Sequence, residues 1–152
     1  MNKSPLTEES VEMAGPIEAC TALFIDYARF VDFGDYDQFV ALFTEDAVLD
    51  LGFRLEGRGA IERSMSRRDP QLRSRHILSN IHVEVNSNTQ ANGIAYLSLY
   101  RHIGQQSLDP SPVLLSGPAA IGHYDNTFRL TSQGWRIASC KLQFAFQDLD
   151  QF

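Results

Sequence analysis

The chain lacks long apolar runs and long basic runs, and each absence excludes a class of protein. Its basic cluster is the Arg67-Arg68 pair with Arg63, Arg73 and Arg75 nearby, which we expect to form a solvated face. No stretch approaches the ~20 consecutive apolar residues of a membrane span. A net charge of −6 without a basic run argues against nucleic acid as a partner, because phosphate binding needs clustered Lys and Arg. The N-terminal sequence MNKSPLTEESVEMAG contains no apolar segment typical of a signal peptide. We therefore expect a cytoplasmic protein that binds neither membranes nor nucleic acid.

Cysteine is scarce, and the histidines lack the spacing of metal ligands. Cys20 and Cys140 fall far apart in a predicted helix and a predicted strand, which favours two buried thiols over a disulfide. The four histidines include no pair at two- or four-residue spacing. No phosphate loop, dinucleotide fingerprint or nucleophile elbow is present. We expect no metal, no cofactor and a small molecule as the partner.

Helical patterns come first along the chain. Apolar residues recur at three- and four-residue steps from Ile17 to Phe33, which predicts an amphipathic helix. A shorter helix is predicted over Glu8–Ala14, a third over Tyr36–Phe43 and a later one over about Ala60–Arg68. We expect a single domain of residues 1–152, with residues 1–6 and 147–152 loose.

Strand patterns dominate the rest of the chain, separated by turn signals such as Asn86–Thr89 and by a proline-containing loop over Gly104–Pro118. The predicted strands are Ala47–Leu51, Arg54–Glu56, Arg73–Val85, Gln90–Ile103, Ala119–Leu130 and Trp135–Phe146. This order predicts an α+β fold in which helices cover one face of a mostly antiparallel, strongly curved sheet.

Asp32 is a carboxylate on an otherwise apolar helix face, close to the predicted helix end at Gly34. A carboxylate in such a place needs a partner or a function. The alternative is that Asp32 faces water at the helix end. Asp35 is then the reserve candidate, although it is better explained as the N-cap of the next helix, in a capping box with Gln38.

His76 enters a predicted strand and is another polar residue within an apolar segment. An Asp and a His that meet in a pocket form a base and a proton shuttle, because a carboxylate fixes the tautomer of an imidazole and raises its basicity. Strand parity raises a conflict. The apolar residues from Ile77 to Val85 take odd positions, so an unbroken strand turns His76 to the opposite face. A bulge at Ser79-Asn80 reverses the parity and removes the conflict.

Five further polar residues in apolar segments are candidate substrate-binding groups. Tyr27 lies on the apolar stripe of the long helix, Tyr96 and His102 alternate along one strand, and Tyr124 and Asn126 share a face of the next. Ordinary packing is the alternative for each. With Asp32 and His76, they form the predicted site.

Four pieces of the chain, spread over about Ile17 to Leu142, resemble the SnoaL-like branch of the nuclear transport factor 2 (NTF2-like) superfamily. They are YARFVDFGDYDQFVALFTEDAVLDL, LEGRGAIERSM, SRHILSNIHVEV and GHYDNTFRLTSQGWRIASCKL. The resemblance implies an α+β cone. In that fold, three N-terminal helices pack on a curved mixed sheet and enclose a deep apolar pocket.

Within that superfamily, the chain is most similar to scytalone dehydratase and hexachlorocyclohexane dehydrochlorinase. The resemblance implies a catalytic dyad at Asp32 and His76, with His102 as the nearest match to a second histidine of the dehydratase. Val31 stands where the dehydratase has a tyrosine. The implied activity is that of a cofactor-independent lyase or isomerase, dehydration first, on a small apolar molecule. The alternative is a non-catalytic binding protein or the small subunit of a ring-hydroxylating dioxygenase.

The strands carry more apolar side chains than one core needs, so we expect a homo-oligomer, either dimer or trimer. These side chains are Ile94, Leu97, Leu99, Ile121, Phe144 and Phe146.

Overall fold

The computed structural model describes residues 14–152, which contain three α-helices, six strands and one 3-10 turn. The helices are α1 (Pro16–Phe33), α2 (Tyr36–Ala41) and α3 (Arg58–Met65). The strands are β1 (Phe43–Asp50), β2 (Arg54–Glu56), β3 (Leu72–Ser87), β4 (Gln90–Ile103), β5 (Ala120–Thr131) and β6 (Gly134–Gln147). The predicted α+β class is confirmed. The predicted helix over Glu8–Ala14, apart from Ala14, and the segment 1–6 lie outside the described residues.

The six strands form one mixed sheet in the order β2-β1-β6-β5-β4-β3. β1 and β6 run parallel, and every other neighbouring pair is antiparallel. α1 packs against β3, β4 and β6. The core lies between this helix and the inner face of the sheet, with Phe24, Phe43 and Phe128 among its members. No helix within residues 14–152 is long and apolar enough to cross a membrane.

Both ends of α1 follow from its sequence. Pro16 occupies the first turn, where its missing N–H costs nothing and its fixed φ suits a helix. Gly34 ends the helix in the left-handed conformation at φ 77°, as predicted. The N–H of Asp35 then donates to the carbonyl of Phe30 at 2.8 Å. This termination leaves Asp32 in the last turn, on the buried side of the helix.

Two local predictions around α2 are wrong. Asp35 precedes α2 at φ −86° and ψ 62°, and its side chain makes no capping hydrogen bond, so the capping box with Gln38 does not form. The third helix, predicted over Tyr36–Phe43, ends at Ala41, and β1 starts at Phe43 and not at the predicted Ala47. Phe43 pairs with Ile137 of β6, and this parallel pairing extends the strand backwards through an irregular register.

The loop between β4 and β5 is tied to β3 by one side chain. The Arg73 guanidinium donates to the carbonyls of Gln106, Asp109 and Ser111 at 2.7–3.3 Å. Three backbone acceptors on one planar group hold the loop in a defined shape.

The C-terminal tail, expected to be loose, forms a 3-10 turn over Leu149–Gln151. The N–H of Asp148 donates to the carbonyl of Ala119 at 2.8 Å. The ring of Phe152 lies 5.8 Å from that of Phe144 and 4.6 Å from the guanidinium carbon of Arg101. The tail therefore contacts side chains of β4 and β6.

Candidate active site

The carboxylate of Asp32 is buried and accepts three hydrogen bonds. Its Oδ1 accepts from the Ser74 hydroxyl at 2.7 Å and lies 2.6 Å from Nδ1 of His76. Its Oδ2 accepts from the main-chain N–H of His76 at 2.7 Å. The carboxylate thus fixes both the backbone and the ring of His76.

This contact defines the tautomer of the imidazole. An ionised carboxylate only accepts hydrogen bonds, so Nδ1 of His76 carries the proton that it donates to Asp32. The Nε2 atom is then left with a free lone pair. The side chains are only 11% and 6% exposed, which strengthens the electrostatic interaction between them. Such a histidine is held ready to accept a proton.

The bulge predicted in β3 is present and aims His76 inward. The pairing of β3 with β4 shifts register between Ser79 and His82, and Asn80 adopts a left-handed φ of 49°. Before the bulge the even residues face the core, and Ile77 on the other face is 55% exposed. After the bulge the odd residues face the core, and Val83 is buried. The parity conflict is thereby resolved.

Arg68 and Ser107 form hydrogen bonds that hold the dyad and its neighbour Ser74 in place. Arg68, just beyond α3, donates from its NH2 group to the Ser74 hydroxyl at 2.8 Å. The hydroxyl of Ser107, in the β4–β5 loop, donates to the main-chain carbonyl of Asp32. Arg75 donates to Ser107 Oγ and Ser107 O, both at 3.0 Å. The end of α1, β3 and the loop are therefore locked together around the dyad.

A small cavity of about 60 Å³ lies beside His76. Its lining combines two leucines with two arginines; the lining residues are Arg68, Leu72, Ser74, His76, Leu99 and Arg101. The Nε atom of Arg101 is buried and has no hydrogen-bond partner among residues 14–152. The pocket at the dyad is thus narrower and more positively charged than the deep apolar pocket that the resemblance implies.

The structure does not bring Tyr96 or His102 to the dyad. They share one face of β4, as predicted, but the core-facing set of that strand is odd-numbered, with Leu97 and Leu99 buried. Tyr96 is 51% exposed on the opposite face. His102 borders a neighbouring groove of about 510 Å³, formed with the β4–β5 loop, and this groove shares Ser74 and Arg101 with the cavity beside His76. Alternation along a strand therefore corrects both assignments.

Tyr27, Tyr124 and Asn126 do face the interior, where all three are buried. The two tyrosine rings lie 5.1 Å apart. Burial, and then the neighbouring Tyr124 and Cys140, raise the pKa of Tyr27. Burial, Cys140 and Asp32 raise the pKa of Tyr124, whereas Arg68 opposes the rise. None of the three lines the cavity beside His76.

Sequence reasoning missed three residues of this site: Arg68, Ser74 and Arg101. Arg68 belongs to a basic cluster that reads as a solvated face. Ser74 lies two residues before His76, so strand alternation alone places it on the same face. Arg101 lies two residues after the buried Leu99, and the same rule applies to it. The alternation of apolar residues along β3 and β4 was therefore the signal that could have identified Ser74 and Arg101.

Neither cysteine is poised as a nucleophile. Both thiols are free and buried. Burial raises the pKa of the Cys20 thiol to about 11, and burial also raises the pKa of Cys140. Within residues 14–152, no three His, Cys, Asp or Glu side chains lie close enough together to hold a metal ion.

A helix-covered mixed sheet with a buried Asp–His pair at the end of its first long helix defines a protein of the NTF2-like fold class. The chain belongs to the SnoaL-like domain family, whose model matches residues 15–141. No curated protein matches it significantly.

Solved structures share the fold at low sequence identity. A candidate scytalone dehydratase from Novosphingobium aromaticivorans is 20% identical, with a TM-score of 0.72 over 89% of this chain and 86% of that one. A type 2 hexachlorocyclohexane dehydrochlorinase is 16% identical, with a TM-score of 0.70 over 86% of each chain. An NTF2-like protein from N. aromaticivorans is 22% identical, with a TM-score of 0.64 over 88% and 84%. These similarities establish the fold.

Proposed function

We propose that the protein is a cofactor-independent lyase or isomerase in which His76 removes a proton from carbon. The observation that carries the proposal is the double contact of Asp32 with His76. One carboxylate accepts from the backbone N–H and lies 2.6 Å from Nδ1, which directs the lone pair of Nε2 away from the helix. Positioned general bases of this kind accelerate reactions by about 10²–10⁴-fold.

In the proposed dehydration, Nε2 of His76 takes a proton from the carbon next to a carbonyl, and the C–H electron pair forms an enolate. The imidazolium then lies beside the Asp32 carboxylate, which stabilises its positive charge. The enolate re-forms the carbonyl as the β-hydroxyl departs, and the proton on Nε2 is returned to that hydroxyl to release water. In the isomerisation, the proton is returned to a different carbon.

The names of two similar structures favour elimination chemistry. One is a candidate scytalone dehydratase, and the other is a hexachlorocyclohexane dehydrochlorinase. Both names describe the removal of a small molecule from a carbon skeleton. We propose that His76 carries out the same class of reaction. We also propose that the protein works in the cytoplasm, where its two free thiols stay reduced.

Proton abstraction can be measured without knowledge of the natural substrate. We expect the protein to accelerate exchange of the C2 protons of 1-tetralone in D2O, followed by NMR, and to convert 3-hydroxy-1-tetralone to 1-naphthol. His76→Ala removes the acceleration, and Asp32→Asn reduces it by about 10²–10⁴-fold. His82→Ala is the matched control, because His82 is an exposed histidine of the same strand.

Full exchange activity in His76→Ala contradicts the proposal. So does a wild-type protein that binds these ketones without accelerating exchange. That second outcome favours the non-catalytic alternatives, a binding protein or a subunit of a larger oxygenase, and co-purification with a larger subunit separates those two.

A further inference from the structure

The cavity beside His76 has an excess of positive charge. Arg68 and Arg101 both line it, and within residues 14–152 neither guanidinium forms an ion pair with a carboxylate. Asp32 is the acidic member of the dyad, and its oxygens are taken by Ser74 and His76. Two guanidinium groups therefore line the cavity, and the carboxylate of the dyad is already occupied by other donors.

Arg101 is unusual because of the side of β4 on which it lies. The same face buries Ala95, Leu97 and Leu99, and Arg101 is partly buried beside them. Its Nε atom is buried, and within residues 14–152 it has no hydrogen-bond partner. Burial and the nearby charge of Arg68 lower its pKa. A buried unpaired donor on a cation is costly, which indicates that an acceptor is missing.

The geometry of the two arginines fits a planar anion. The Phe152 ring lies 4.6 Å from the guanidinium carbon of Arg101 and can shield one face of that group. Arg68 is fixed by its hydrogen bond to Ser74, which also contacts Asp32. A guanidinium presents its edge donors in a fork that matches a carboxylate.

We infer that the natural substrate carries a carboxylate, which Arg101 and Arg68 bind beside His76. This inference rests on the proposed function and names the substrate class of the same site. The cavity of about 60 Å³ takes the carboxylate and the carbon next to it between Leu72 and Leu99, and the rest of the apolar substrate extends out of the cavity. Bound in this way, the carboxylate satisfies the buried Nε of Arg101 and separates two like charges. Arg101 and Arg68 are then residues that determine specificity.

The test compares two small probes that differ in charge. Benzoate and benzamide have nearly the same shape, and isothermal titration calorimetry gives their Kd values. We expect the wild-type protein to bind benzoate at least about tenfold more tightly than benzamide, because hydrogen bonds between charged partners are the stronger ones. Raising the ionic strength to the physiological range weakens benzoate binding and leaves benzamide binding unchanged.

Three variants assign the preference to the cavity. Arg101→Met and Arg68→Met each remove most of the benzoate preference. Arg54→Met is the matched control, since it removes the same charge from β2, at the opposite edge of the sheet from β3. His76→Ala keeps the preference, because the carboxylate is bound by the arginines and not by the base.

Equal affinity of the wild-type protein for the two probes overturns the inference, and so does failure to bind either one. A preference that survives both arginine substitutions also overturns it. These results are separate from the exchange assay. A protein that prefers benzoate but does not accelerate proton exchange retains the carboxylate site and loses only the proposed function.

Discussion

Asp32 and His76 are 44 residues apart in sequence, yet one carboxylate contacts both the ring and the backbone of the histidine. The same carboxylate accepts from Ser74. The contact joins the end of α1 to the start of β3, so it contributes to stability as well as to the proposed chemistry.

Asp32→Ala leaves the donors of Ser74 and His76 without their acceptor in a buried site. We expect the free energy of unfolding to fall by about 3 kcal/mol, measured by urea denaturation. Asp35→Ala is the control, since Asp35 is exposed and makes no capping hydrogen bond, and it changes stability by less than about 0.5 kcal/mol. Equal losses in the two variants contradict this account of the site.

Gly122 has no room for a side chain. A Cβ there lies 2.1 Å from the backbone oxygen of Gln143, so Gly122→Ala forces β5 and β6 apart. We expect a loss of about 3 kcal/mol, or no folded protein. Gly59→Ala in α3 meets only a side-chain atom of Arg63, at 3.5 Å, and adds about 0.5–1 kcal/mol of stability. Thermal unfolding of the two alanine variants shows whether the position of the glycine or the glycine-to-alanine change itself decides the effect on stability.

The buried tyrosines make the fold sensitive to alkali. The pKa values of Tyr27 and Tyr124 are raised above the ordinary value of 10.0, so the folded protein keeps protons that the unfolded chain releases. The contribution of the two tyrosines to stability is therefore fully present below about pH 10 and falls as the pH rises further, by about 1.4 kcal/mol per pH unit for each tyrosine.

Tyr124→Phe removes one of these two contributions, and we expect the slope of unfolding free energy against pH above 10 to fall by about 1.4 kcal/mol per unit. Tyr96→Phe serves as the control because that side chain is 51% exposed. An unchanged slope in Tyr124→Phe refutes the assignment. Urea titrations at a series of pH values provide the measurement.

Self-association remains a prediction, and we now propose the exposed apolar side chains of the β4–β5 loop as its site. Leu114 and Leu115 are 98% and 78% exposed on the β4–β5 loop, which Arg73 holds in place. We expect a dimer or trimer by sedimentation at micromolar concentration. Replacing both leucines by Asp weakens association by more than about tenfold, because each buried leucine contributes about 1.5–3 kcal/mol.

Phe53→Asp is the control for association, since Phe53 is 56% exposed but lies beside β2, at the other edge of the sheet. A wild-type protein that sediments as a monomer contradicts the predicted self-association. Leu97 and Leu99, which entered the sequence-based estimate of surplus apolar surface, are core residues and contribute nothing to such an interface.

Most of the sheet could be predicted because its signals are local. Alternation and turn residues defined β2 and β4 to the residue, and Gly34 marked the end of α1. The start of β1 could not be predicted in this way. Phe43 is a strand residue because it pairs in parallel with Ile137, and that partner is distant in sequence.

The contact between Asp32 and His76 could be predicted because two independent arguments met. Asp32 was conspicuous on an apolar helix face, and the parity of β3 required the bulge that the structure contains. His102 lies away from the dyad. Its assignment followed the family resemblance and did not use the alternation of residues along β4. Leu97 and Leu99 already indicated that the odd face of β4 is the inner one, which also predicts an inward Arg101.

The bulge at Asn80 has a second effect, on the outer edge of the sheet. β3 is the last strand, so its sixteen residues present one free edge on which another chain can add. The left-handed residue at φ 49° interrupts that edge, and no straight strand can pair along its full length. A change that straightens β3 therefore does more than misdirect His76, because it creates a long continuous edge open to aggregation.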